Sequence, residues 1–170
     1  MRGFSLLVLL FICYDKFMKI YIASDHGGFK LKEEIKLFLK DQVIDLGPSE
    51  LDPDDDYPQF AFKLAERITQ DNDDSIGLLF CRSGSGMVIA ANKVKGIRAV
   101  DVYDEKIAKH AVEDNHANVF AFGADFLTKQ KVLDCLLTIM KTNPSKETRH
   151  LRRIKQITDY EEQVRIANAN

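Results

Sequence analysis

A change of period in mid-chain constrains this sequence more than any other feature. Ser75-Ile-Gly-Leu-Leu-Phe80 is a short apolar run, the pattern of a strand buried on both faces. It ends in Cys81-Arg-Ser-Gly-Ser-Gly86, and the Ala-rich run Met87-Val-Ile-Ala-Ala-Asn-Lys93 then reads as a helix. A strand that enters a helix through a glycine loop turns backbone N–H groups toward one point, and the helix start adds partial positive charge there. Cys81 stands where the strand ends. A thiol beside such a loop has its thiolate favoured, which puts a base or nucleophile next to an anion hole. A buried cysteine beside a tight turn has the same local sequence and, for a lone cysteine, is the commoner case. The adjoining Gly84-Ser-Gly86 shifts the balance toward chemistry.

The same alternation recurs along the chain. Lys19-Ile-Tyr-Ile-Ala-Ser24 is a first strand, closed by the polar, glycine-rich Asp25-His26-Gly27-Gly28. A helix follows over 29–40, with apolar residues at 31, 35, 38 and 39. Gln42-Val-Ile-Asp-Leu46 is a second short strand. Gly47 to Asp56 is a loop with two prolines and four aspartates, read as solvated because the aspartates lack the spacing of a calcium loop. A second helix covers 57–68, with Pro58 tolerated in its first turn. Past the central loop, strand four is Gly96 to Val102, helix four Asp104 to Val112, strand five Val119 to Phe122 and helix five Thr128 to Lys141. A polar C-terminal helix follows Pro144.

Strands that alternate with helices imply a parallel sheet covered on both faces. The expected fold is a single α/β domain, Rossmann-like and doubly wound, with a five-stranded parallel sheet and a C-terminal helix. Ligands of such sheets bind beyond the carboxyl ends of the strands. Asp25, His26 and Cys81 all fall at that edge.

Bulk properties remove several classes. A chain of 170 residues suffices for one domain with a sizeable core. The net charge of −2 gives no argument for nucleic acid or an anionic membrane as partner. Cys13, Cys81 and Cys135 are too few and too scattered for a disulfide framework or a zinc site, which fits a reducing cytoplasm. No His/Cys/Glu cluster has metal-ligand spacing, so no metal or other cofactor is expected.

The N-terminus departs from this pattern. Arg2 precedes the apolar run Phe4-Ser-Leu-Leu-Val-Leu-Leu-Phe-Ile-Cys13, which has the outline of a signal peptide. The run is too short to span a bilayer, and no small-x-small site follows it. Residues 1–17 are expected to be an extension outside the fold, with translation starting at Met18. The competing reading is a peptide that is exported or docks on apolar surface. The domain is then 18–163 and the tail 164–170.

Three loop chemistries fail on spacing. A cysteine phosphatase needs an arginine where Met87 stands, a dinucleotide fingerprint needs a glycine where Ile89 stands, and the Gly-Lys-Ser/Thr of a Walker loop is absent. What the chain does carry, in order, is Asp25-His26-Gly27-Gly28, Cys81-Arg-Ser-Gly-Ser-Gly86, Ile89-Ala-Ala-Asn-Lys93, Gly96-Ile-Arg-Ala99, Asn118-Val-Phe-Ala-Phe-Gly123 and Arg149-His150. From Met18 to about Gln163 this set resembles the type B ribose-5-phosphate isomerases and the related galactose-6-phosphate isomerases.

The resemblance implies interconversion of ribose 5-phosphate and ribulose 5-phosphate through an enediolate, as in the non-oxidative pentose phosphate pathway. Relatives place the base either as a Cys at the strand end or as a Glu after the loop. Cys81 with Met87 matches the cysteine subtype. By the same resemblance, the N–H groups of Arg82, Ser83, Gly84, Ser85 and Gly86 hold the enediolate oxygen. Ser83 passes a proton between O1 and O2, and Asp25 contacts the sugar hydroxyls and helps to open the ring. His26, Arg149 and Arg153 hold the phosphate. On its own, the Arg149/Arg153 pair reads as a solvated helix face, but at i, i+4 it presents two guanidinium forks suited to a phosphate.

Three departures stand out. Arg82 replaces a frequent Gly. Asp114-Asn115 replaces a frequent His-Asn, which leaves ring opening to Asp114 or to His116, with Asn115 holding substrate. Asp125 replaces a frequent Arg. A homodimer with shared sites is expected, or a tetramer built from it. The alternatives are isomerisation of a six-carbon sugar phosphate (galactose 6-phosphate or allose 6-phosphate), a non-catalytic sugar-phosphate binder, and a structural subunit of a two-chain isomerase.

Overall fold

The computed structural model describes residues 18–71 and 75–169. The extension reading for residues 1–17 lies outside them. Five strands form one all-parallel sheet in the order β2-β1-β3-β5-β4. They are β1 (Lys19–Ser24), β2 (Val43–Asp45), β3 (Ser75–Cys81), β4 (Ala99–Asp101) and β5 (Val119–Gly123). The helices are α1 (Phe29–Leu39), α2 (Tyr57–Gln70), α3 (Ser85–Ala91), α4 (Glu105–Glu113), α5 (Lys129–Lys141) and α6 (Thr148–Ala169).

The expected double winding is present. One core joins Leu31, Ile35 and Leu39 of α1 to Ala108 and Ala111 of α4 and to Val132, Leu133 and Leu136 of α5, all beneath Ile22, Leu78, Phe80, Phe120 and Phe122. The other core joins Ala61, Leu64 and Ile68 of α2 to Met87 and Ala91 of α3, beneath Tyr21, Leu79 and Ala121. Each fully buried valine, leucine, isoleucine, phenylalanine or methionine contributes about 1.5–3 kcal/mol. The central strands are apolar on both faces because both faces are covered.

Strand order fixes where a ligand can sit. From β1 the chain moves outward to β2, then returns to place β3 on the other side of β1. The crevice outside the carboxyl ends of β1 and β3 is therefore the topological switch point. Ser24 pairs with Phe80 at that end, so Asp25 and Cys81 leave neighbouring strands side by side.

Two strands are shorter than the sequence suggests. At β4, side chains take over the backbone bonds that a longer ladder would make. Asn92 holds both the N–H and the carbonyl of Ala99, at 2.8 and 2.9 Å. Asn118 holds the Arg98 N–H at 2.8 Å and the Gly96 carbonyl at 2.9 Å. Lys32 of α1 is fully buried despite its charge. Its ammonium reaches three acceptors, Asp45 Oδ2 at 2.9 Å, Pro48 O at 3.0 Å and Glu33 Oε1 at 2.9 Å. That matches its three protons and ties α1 to the start of the acidic loop.

Candidate active site

Cys81 is the last residue of β3 and is 6% exposed. Its sulfur accepts the Gly84 N–H at 3.1 Å, so the glycine loop curls back over the thiol. The loop is held against the end of β5. Gly123 pairs with Cys81, Ala124 N–H bonds Cys81 O at 2.8 Å, and Asp125 N–H bonds Arg82 O at 3.0 Å. Gly84 has φ +85°, a backbone shape that L side chains rarely adopt. A Cβ there would also fall 2.3 Å from Asp101 Oδ1. Ser83 and Ser85 stand exposed on the rim.

The thiol itself corrects an expectation. Burial pushes the Cys81 pKa up, and the nearby Asp25 charge adds to this, while the N–H groups of Gly84, Ser83 and Met87 draw it down without offsetting the loss of water. The loop and the helix start were expected to favour the thiolate. α3 is only seven residues long, and the desolvation of a nearly covered sulfur outweighs it.

Asp25 is likewise buried, at 6% exposure. Burial raises its pKa, opposed chiefly by the hydrogen bond from the Gly28 N–H, which reaches Oδ1 at 2.9 Å. The close packing of α1 on β3 makes this geometry possible, since a Cβ on Gly28 would fall 2.3 Å from the Phe80 carbonyl carbon. His26 follows, its side chain 38% exposed. The Arg82 side chain crosses Gly27, where a Cβ would meet its Cγ at 2.4 Å, and its Nε donates to Asp125 Oδ2 at 3.1 Å. It thus lies along the rim, pinned by the aspartate that replaces the frequent arginine.

Asp25, His26, Cys81, Arg82, Ser83, Gly84, Ser85 and Gly86 accordingly gather at the carboxyl edge. The remaining candidates do not join them within one chain. Asn115 and His116 precede β5, at the amino edge, where Arg98 Nε holds their carbonyls at 3.1 and 2.9 Å. His116 has φ +49°, and its Nε2 bonds the Ser145 carbonyl at 2.9 Å. Asp114 bonds His110 at 2.9 Å and lies 3.8 Å from His150 of α6. Arg149 sits in the same place, paired with Glu147 at 2.8 Å. Arg153 is exposed one turn further along α6.

Two carboxylates escaped the sequence reading. Asp55 belongs to the acidic loop read as solvated, yet its side chain is 4% exposed and bonds His26. The loop folds back over the β1 end because Lys32 and Asp45 anchor its start. Nothing in a run of aspartates marks which one turns inward. Asp101 closes β4, accepts the Ser85 hydroxyl at 3.0 Å and has its pKa raised by burial. A polar residue at the end of an otherwise apolar strand was the available signal.

Comparison with known proteins places this arrangement. The model of the family described as Ribose/Galactose Isomerase matches residues 20–157. The chain belongs to that family. Ribose-5-phosphate isomerase B of Mycolicibacterium paratuberculosis is 39% identical over 147 residues, covering 85% of this chain and 92% of the relative. The crystal structure of ribose-5-phosphate isomerase B from Mycoplasma genitalium with bound ribulose-5-phosphate superposes with a TM-score of 0.80 at 40% identity, covering 85% of this chain and 97% of that one. Ribose-5-phosphate isomerase B of Clostridium thermocellum gives the same TM-score, 0.80, at 39% identity, covering 86% and 99%. The chain is thus a sugar isomerase of the family's α/β fold. Among the described residues, no helix is long and apolar enough to cross a membrane.

Proposed function

We propose that this chain interconverts ribose 5-phosphate and ribulose 5-phosphate in the cytoplasm, by proton transfer between C1 and C2 through an enediolate. The observation that carries the reading is the Cys81 sulfur, seated at the switch point under the Gly84 N–H at 3.1 Å with buried Asp25 on the adjoining strand end. The substrate sugar of the Mycoplasma and Mycolicibacterium relatives supports the same choice.

The steps follow from the residues. Asp25 takes hydroxyl contacts from the sugar and assists ring opening. Cys81, as thiolate, removes the proton from C2 of the open aldose, and the electron pair moves into the C1–C2 enediolate. The charge gathers on oxygen, and in this reading it is received by the N–H groups of the Arg82–Gly86 loop other than that of Gly84, which faces the sulfur. Donors fixed before the reaction stabilise such an oxyanion without reorganising, usually the largest electrostatic contribution. Ser83 moves a proton between O2 and O1. The thiol then returns its proton to C1, and the ketose is complete with no net gain or loss of atoms. A raised thiol pKa makes the thiolate scarcer at neutral pH but a stronger base once formed.

His26 holds the phosphate from the carboxyl edge. Arg149, Arg153 and Asn115 act on the substrate of a second copy, because their own edge faces away from their own Cys81. The working unit in this reading is a homodimer with sites shared between chains.

The deciding experiment is an assay in deuterated water with ribose 5-phosphate, ribulose 5-phosphate, galactose 6-phosphate and allose 6-phosphate. The five-carbon pair should interconvert with deuterium entering at C1 or C2. Turnover confined to a six-carbon sugar, or binding without exchange, overturns the proposal.

A further inference from the structure

We propose that Asp55 is a positioning residue that locks the His26 ring, so that Nε2 faces the site as a cationic donor to the substrate's phosphate. The inference rests on the reading of His26 as a phosphate ligand and extends it to a residue outside the β1 and β3 ends.

Geometry carries it. Asp55 Oδ1 takes two bonds from one residue, the His26 N–H at 3.0 Å and the ring Nδ1 at 2.7 Å. Backbone and ring are thereby fixed together, and rotation of the imidazole would break the shorter bond. With Nδ1–H donated to a carboxylate, Nε2 is the nitrogen left to face outward. The carboxylate is 4% exposed whereas the imidazole is 38% exposed, so the anion is inside and the donor outside. Asp55 Oδ2 is buried with no hydrogen-bond partner among the described residues. A covered carboxylate with one oxygen unpaired needs a cation against it, and the imidazolium is in contact.

The charges facing His26 agree. The Asp55 hydrogen bond is the largest influence and raises the ring's pKa, Asp25 raises it further, and Arg82 across Gly27 lowers it without reversing the shift. A ring held above its ordinary value is protonated up to a higher pH, and protonated Nε2–H donates a charge-assisted bond to a phosphate oxygen. Asp52 and Asp54 are exposed in the same loop, where the Asp52 carboxylate accepts the Asp54 N–H at 3.0 Å.

The test uses Asp55→Asn, which keeps size and an acceptor oxygen but removes the charge. In ligand-free protein, the imidazole NMR titration of His26, assigned through His26→Asn, should move down toward the ordinary imidazole range. KM for ribose 5-phosphate at slightly alkaline pH should rise about tenfold with kcat changed less than about threefold, the size of one charge-assisted contact. In the His26→Asn background, Asp55→Asn should add less than about twofold to KM. An unmoved titration, or an equal KM effect with and without His26, overturns the proposal. In the wild-type protein, nitrogen NMR at alkaline pH should show the Nδ1–H tautomer of His26, and an Nε2–H tautomer refutes the lock without any variant. If ribose 5-phosphate is not turned over at all, the ribose 5-phosphate reading fails, while the titration and the tautomer still decide the role of Asp55.

Discussion

The backbone N–H of Gly84 points at the sulfur of Cys81 across 3.1 Å, so the residue that shapes the loop also faces the thiol proposed as the base. Position 84 is glycine for two reasons that act together. Its φ of +85° excludes ordinary side chains, and Asp101 fills the space where a Cβ would go. Cys81→Ala should abolish isomerisation while leaving phosphate affinity nearly intact, because the base acts on the transition state. The expected loss is ~10²–10⁴-fold or more in kcat. Near-native turnover in this variant would remove Cys81 from the mechanism.

The pH dependence has a definite sign. kcat/KM reports the ionisation of the free enzyme, and burial holds the Cys81 thiol above its ordinary range. The active thiolate fraction therefore grows with pH, and kcat/KM should still rise into alkaline solution, less steeply across the range where the His26 ring loses its proton. Asp25 contributes to holding the thiol up. Asp25→Asn should thus shift the rising limb to lower pH, even though kcat falls through loss of the sugar contact. A wild-type plateau already reached in mildly acidic solution would contradict the assignment.

Gly84→Ala should cost both stability and turnover. The left-handed backbone alone is worth ~1–3 kcal/mol, and the clash with Asp101 adds to it. In the Gly84→Ala/Asp101→Ala double variant the clash is relieved but the backbone strain stays. Thermal melts should show partial recovery, with the two substitutions coupled by ~1 kcal/mol or more. Strict additivity would mean that the loop moves aside and that Asp101 does not limit position 84.

The sequence showed the architecture because the sheet is parallel and covered on both faces. Runs such as Ile76 to Phe80 must then be apolar throughout, and the glycine loops must fall between strand and helix. Cys81 and Asp25 were legible for the same reason, each standing where a buried strand ends, Cys81 as the last residue of β3 and Asp25 as the first after β1. The length of β4 was not, since the amides of Asn92 and Asn118, far apart in sequence, take the bonds that a longer strand would make. Asp55 was hidden by its company, because composition cannot separate one inward carboxylate from three exposed neighbours. The thiol shift was misjudged because burial depends on packing of the α3 turn over Cys81, whereas a motif displays only the dipoles.

Removal of divalent metal should leave the rate unchanged. The charge of the enediolate falls to backbone donors in this mechanism, and among the described residues no group of three or more His, Cys, Asp or Glu side chains is placed to hold a metal ion. Dialysis against a strong chelator, followed by assay with and without added magnesium, manganese or zinc, checks this. Activity lost to the chelator and restored by one ion would require a different account of the oxyanion.

The site should be assembled from two chains, and the sheet supplies the reason. Gly123 of β5 pairs with Cys81, while Asn115 lies beyond the opposite end of β5, before Val119. The four residue steps from Val119 to Gly123 alone span ~13 Å, longer than any side chain can bridge. Asp114, His150 and Arg149 cluster at the same far edge as Asn115. If Asn115 holds the substrate on which Cys81 acts, it comes from a partner across a two-fold axis. Cys81→Ala and Asn115→Ala should each be inactive as pure dimers. Mixed after dissociation and reassociation, random pairing makes about half the dimers hybrid, and each hybrid has one site with both native residues and one with neither. About a quarter of all sites should then turn over. Confirmed subunit exchange with no return of activity would mean that each chain builds its own site and that the far-edge residues serve the fold.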